Sequence, residues 1–149
     1  MKKLISIVLF AVWCGGVLAG QEIKRPESYN YLRGLEAMLG DDVAGALDFF
    51  EKDVQDNPKN GYSYSWLAYL WYKTEEYGRA LTAANKAVKF IPRKDGEYLS
   101  FAYATRAEIQ LNIEDTIKAL DDYSAAINIM PQELSHYESR AQVCYEISF

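Results

Sequence analysis

Two prolines, Pro58 and Pro92, stand 34 residues apart, and the residues counted back from each fall into matched classes. Gly34 and Ala68 share one position, Ala46 and Ala80 a second, Phe50 and Ala84 a third. A third copy ends at Pro131, with Ala107, Ala119 and Tyr123 in the same three places. Small residues at fixed points of two successive amphipathic stretches mean two helices whose backbones come close, the third position filling the wedge between them. Proline closes the second helix because it lacks an amide donor and its ring collides with the preceding turn. A unit this short cannot bury its apolar face alone, so each must pack on the next.

This period and these slots resemble the tetratricopeptide-repeat (TPR) family. In the second copy Tyr64, Leu67, Ala68, Trp71, Ala80, Ala87 and Pro92 all occupy signature positions. The first copy is looser, with Asn30 in the aromatic slot and Arg33 in the leucine slot. The resemblance covers Glu27 to Phe149 and implies an all-α, TPR-type helical-hairpin solenoid of about three and a half repeats, or seven helices. The repeats are expected at 27–60, 61–94 and 100–133, with a partial repeat or capping helix at 134–149. Helices are predicted over about 27–39, 42–57, 61–73, 76–90, 96–112, 114–129 and 133–147. Because Pro92 and Pro131 lie 39 residues apart, Arg93 to Leu99 carries an insertion, read as an elongated first helix of the third repeat with Asp95 as its N-cap. The apolar ending Ile147-Ser148-Phe149 leaves two readings open, a terminal cap or the N-terminal piece of a longer protein.

The first twenty residues have the plan of a secretory signal: Lys2 and Lys3, an apolar run from Leu4 to Trp13, then Val17-Leu18-Ala19 before a cut after Ala19 or Gly20. The apolar stretch is short for a spanning helix, so membrane contact is expected only if the segment stays uncleaved. A short linker, 21–26, would follow, and the mature chain would be periplasmic or secreted. Trp13 before Cys14 argues against lipidation, and removal of Cys14 would leave Cys144 alone, a buried small hydrophobe or a pairing point between chains. Loss of Lys2 and Lys3 takes the net charge from −5 to −7. A chain this acidic, without a basic stripe, is not built to hold nucleic acid.

Catalysis has little to work with. One histidine, His136, and one cysteine outside the leader, Cys144, sit eight residues apart in one predicted helix, with no phosphate loop, metal-spaced cluster or nucleophile motif. No cofactor and no metal are expected, and His136 reads as a surface or capping residue. Arginine recurs at one repeat position as Arg33, Arg106 and Arg140. The resemblance implies a structural ion pair there, with Asp122 placed to meet Arg106 or Arg140.

The family presents ligands with the concave side of its first helices. Carried onto this sequence, that face is Tyr31, Leu35 and Met38 in the first repeat and Tyr62, Tyr69, Tyr72 and Lys73 in the second. The third gives Phe101, Glu108 and Leu111, and the fourth Tyr145. Tyrosine offers area and a hydroxyl at little rotamer cost, so such a groove suits a polypeptide segment held by apolar burial. The slots that grip C-terminal carboxylates elsewhere in the family with lysine, arginine and asparagine are mostly aromatic or aliphatic here. The expected role is therefore a non-enzymatic protein-protein adaptor or scaffold. A structural subunit of a homo-oligomer or envelope complex is the alternative, and glycan binding by ring stacking a third reading with few polar pairs to support it.

Overall fold

The computed structural model describes residues 23–148. The expected signal segment, 1–20, lies outside the described residues. Among them are seven α-helices and no strand: α1 (Tyr29–Leu39), α2 (Val43–Asp56), α3 (Gly61–Lys73), α4 (Tyr77–Phe90), α5 (Gly96–Asn112), α6 (Thr116–Ile129) and α7 (Leu134–Ile147). Each matches its sequence expectation to within two residues, and α5 is indeed the long one, at 17 residues. No helix among the described residues is long and apolar enough to cross a membrane.

The helix ends explain the hairpins. Asp41, Glu75 and Glu114, one in each tip, have φ of 56°, 63° and 63°. At each tip the next residue's N–H reaches back to the carbonyl five residues earlier: Asp42 to Ala37 (2.9 Å), Glu76 to Trp71 (2.8 Å) and Asp115 to Gln110 (2.8 Å). This is the Schellman closure of a helix by one left-handed residue. Gly40, the apparent turn residue, has φ −84°, so the left-handed step belongs to Asp41. Glu114 thereby ends α5 and delays α6 to Thr116, two residues later than predicted. Several starts are capped by side chains. Asp42 accepts from the Gly45 amide at 2.9 Å, Asn60 from the amides of Tyr62 and Ser63, and Asp95 from the Tyr98 amide.

The described residues divide into two compact units between Pro58 and Lys59. The first is the hairpin α1–α2. Gly34 is there because a Cβ would sit 2.6 Å from the Phe50 ring, and Phe50 fills the wedge with no exposure of its own. Asp53, fully buried on α2, accepts hydrogen bonds from the Ser28 hydroxyl and, at 3.2 Å, from the Asn57 amide. Ser28 precedes α1 but spends its hydroxyl on Asp53 rather than on the helix start.

The second unit holds α3 to α7, with α4 packed on α3 and α5, α6 on α5, and α7 on α6. Ala68, Ala80, Ala84, Ala107 and Ala119, the small residues of the repeat pattern, are all buried. Tyr123 supplies the wedge for α5–α6, with Val143 of α7 joining the same cluster. At the C-terminal end one of the two readings of Cys144, burial, falls, and the surface reading of His136 reverses. Cys144 is exposed rather than buried, whereas His136 is buried, 8% exposed, and the N-cap role falls to Glu133. On α7 the buried line runs through His136 and Val143, and Cys144 lies off it.

Candidate functional site

The faces of α3 and α5 that meet carry a ladder of rings. Tyr62, Trp66 and Tyr69 are spaced four and three residues apart on α3, which stacks them on one side of a helix, and Tyr98 and Phe101 oppose them from α5. Tyr62 meets Tyr98 edge-on with centroids 4.9 Å apart, and Trp66 lies 5.3 Å from Phe101. Tyr69 in turn stands 6.0 Å from Phe101. The ladder is dry at one end and open at the other. Tyr62, Trp66 and Tyr98 are at most 5% exposed, whereas Tyr69, Tyr72 and Phe101 are only half-buried.

At the open end the chemistry turns polar. Glu108 on α5 accepts a hydrogen bond from the Tyr123 hydroxyl and faces the Tyr72 hydroxyl at 3.5 Å. Burial and the neighbouring Glu108 carboxylate push the Tyr123 phenol far above its ordinary pKa. The same two causes raise Tyr72, and burial alone raises Tyr69. All three remain protonated donors at any physiological pH. Lys73 closes this end with its ammonium 5.5 Å from the Tyr69 ring centre and 5.6 Å from that of Tyr72, within cation–π range of both.

The face inferred from sequence therefore splits. Tyr69, Tyr72, Lys73, Phe101, Glu108 and Leu111 belong to the second unit, with Lys73 exposed and the others half-buried. Tyr62 does not line a groove. It is 5% exposed, and its hydroxyl donates to buried Asp95 at 3.1 Å, because the elongated α5 brings its N-cap within reach. Tyr31 and Leu35 in the first unit are likewise core, at 2% and 3% exposure, Tyr31 lying 6.0 Å from the Phe50 ring. Met38 is half-buried, and Tyr145 on α7 is 64% exposed. Three residues of the site were not assigned to it from sequence: Trp66 and Tyr98, its floor, and Tyr123, read as a wedge residue, which orients Glu108. The helical spacing of Trp66 between Tyr62 and Tyr69 is the signal that marks the first.

On the other side of α5, Arg106 grips Asp122 of α6 with two bonds of 2.7 Å, and its remaining nitrogen donates to Asn85 at 3.0 Å. The hydrogen bonds to Asp122 raise the guanidinium pKa against the opposing effect of burial. This is the structural pair the repeat position implied. Arg140 donates instead to Ser124 at 3.2 Å, and Arg33 pairs with Glu36 on its own helix. Among the described residues no group of His, Cys, Asp and Glu side chains is arranged to hold a metal ion.

No family model matches the sequence. Over 92 residues, 62% of this chain, it is 27% identical to serine/threonine-protein phosphatase 5 of Homo sapiens and to that of Rattus norvegicus. The match spans only 17% of those proteins' length. Solved structures agree more closely in shape than in sequence. The first TPR of Spaghetti (RPAP3), bound to the HSP90 peptide SRMEEVD, is similar with a TM-score of 0.73 at 15% identity, over 80% of this chain and 91% of that one. The Arabidopsis OM64 TPR domain gives 0.69 at 18% identity, over 76% and 90% of the two chains. The TPR2B domain of yeast Sti1, from its pHsp70 complex, gives 0.65 at 22%, over 80% and 93%. Hairpins joined by Schellman tips, small residues where helices cross, an aromatic wedge and these likenesses lead to one conclusion: the chain has the tetratricopeptide-repeat fold.

Proposed function

We propose that this protein is a non-catalytic interaction module that binds a segment of another polypeptide on the open end of the α3–α5 ring ladder. The observation that carries this reading is the half-buried set Tyr69, Tyr72 and Phe101, side by side over a rigid aromatic floor. Rings fixed from below offer area without a further loss of rotamer freedom, which is what a binding hot spot requires. The solved neighbours that carry peptides support recognition of a protein partner. Export of the chain, from the Lys2–Ala19 pattern, belongs to the same proposal, and N-terminal sequencing of the secreted or periplasmic fraction tests it.

The binding test is capture from native extract by the wild-type chain and by a Tyr69→Ala/Tyr72→Ala variant whose helicity is verified by circular dichroism. A specific protein retained by the first and lost by the second supports the face. Equal capture by both overturns it. A second reading is favoured by α7, where Leu134 and Tyr145, eleven residues apart and so on one side of the helix, are 69% and 64% exposed. Such a stripe suits self-association, and a mass by light scattering that rises with protein concentration would promote that reading above the first.

A further inference from the structure

The open end of the ladder sets a carboxylate beside aromatic rings, and this pairing selects among polypeptide partners. Glu108 lies beside the phenols of Tyr72 and Tyr123, which donate to it but add no charge. Two of the accessible rings, Tyr69 and Tyr72, already draw a cation, for Lys73 makes no ion pair among the described residues and rests over them instead. The outer field has the same sign: the whole chain carries −5, with 21 acidic against 16 basic residues. A negative surface of this kind speeds the approach of a basic segment and slows an acidic one.

Resting on the reading above, we propose that the segment bound here is basic, and that a lysine or arginine side chain of the partner takes the place of Lys73 over Tyr69 and Tyr72 with its charge toward Glu108. The ring faces supply cation–π attraction, and the carboxylate supplies the charge-assisted hydrogen bond that fixes register. A peptide ending in a free carboxylate meets Glu108 as a like charge. Lys73 is thus an internal competitor: it keeps the rings covered while the site is empty and must swing aside when it fills.

The experiment is panning of a displayed random library of peptides on the full chain, with the Tyr69→Ala/Tyr72→Ala variant as the subtractive control. Clones retained only by the wild type are expected to be enriched in lysine and arginine over the input. Their affinity is expected to fall about tenfold in Glu108→Gln, which keeps an acceptor for the tyrosines and removes the charge. It should rise a few-fold in Lys73→Met, and weaken with added salt. Ring-dependent clones that are neutral or acidic, or basic clones indifferent to Glu108→Gln, would overturn the inference and leave the binding face standing. Absence of any ring-dependent clone would bring down the face together with the inference.

Discussion

The first and third hairpins place an arginine at the same repeat position and surround it differently. In α1–α2, Arg33 lies 5.5 Å over the ring of Phe49, and its side chain stays 44% exposed. In α5–α6 the position facing it is Asp122, and Arg106, only 19% exposed, forms a two-bond ion pair. The middle hairpin puts buried Leu67 and Ala83 at those two places. The repeat thus prescribes that two side chains meet and leaves their chemistry open. The wedge follows the same logic: Phe50 packs on Gly34 and against the Tyr31 ring, whereas Tyr123 fills the equivalent gap and extends a hydroxyl to Glu108. In the first hairpin the wedge is a hydrocarbon ring; in the third, the wedge also positions the candidate site.

The largest effect that tests this contrast is Phe50→Ala, which should cost about 3–5 kcal/mol in urea unfolding, since the fully buried ring fills the cleft beside Gly34. Next comes the arginine position. Asp122→Ala should cost about 2–3 kcal/mol by leaving a half-buried guanidinium without its carboxylate, while Arg33→Ala should cost less than about 1 kcal/mol. Equal losses in the two variants would break the comparison. Tyr123→Phe should lower stability by about 1 kcal/mol through loss of one hydrogen bond, and should weaken peptide binding where a conservative change in the first hairpin does not. Titration calorimetry with a peptide from the panning would read the second effect.

A pH effect separates the units further. Burial lowers the pKa of His136, so the native state holds fewer protons than the unfolded chain near the ordinary imidazole pKa. The stability contributed by neutral His136 is present above that pKa and is lost as the pH falls through it. Acidification from about pH 7 to about pH 5 should loosen the α5–α7 end, and His136→Gln should flatten that dependence in circular-dichroism melts. The smallest effect lies in the tips. Glu114→Gly should stabilise by about 0.5–1 kcal/mol, because a left-handed backbone suits glycine, and Asp41→Gly should gain less, aspartate being the more tolerant of that conformation.

Most of the fold was legible because its determinants are local. Small residues at the crossings and prolines at the exits act within one hairpin, and their positions follow from the period; Asp95 as a cap acts within its own helix end. The extra length of α5 was legible for the same reason, as a departure from the 34-residue interval. The site was only half legible. A helical position tells which side of a helix a residue occupies, not how completely the neighbouring helix covers it, so Tyr62, at one end of the ladder, looked like Tyr69 at the other. Tyr31 and Leu35 were misplaced on the same ground. Tyr123 escaped because it was assigned to the wedge, and a wedge position in the pattern carries no hint that a hydroxyl on it reaches a carboxylate elsewhere. His136 is buried, and the buried reading of Cys144 fails, because seven residues separate His136 from Val143, two turns on one face, while Cys144 is one step off that line.

The buried bond from Tyr62 to Asp95 has a consequence for how such a chain can be rearranged. It joins the start of α3 to the cap of α5, and Asp95 comes into position only because five residues were added between the prolines that close the second and third copies. That seam is asymmetric: the second repeat supplies a phenol, the third an overhanging turn to receive it, and neither could serve in the other's role. The repeats are therefore not interchangeable beads. Exchanging the second and third in a gene would preserve every hairpin and still leave an aspartate stranded in the interior, so the order of the array is written into its joints.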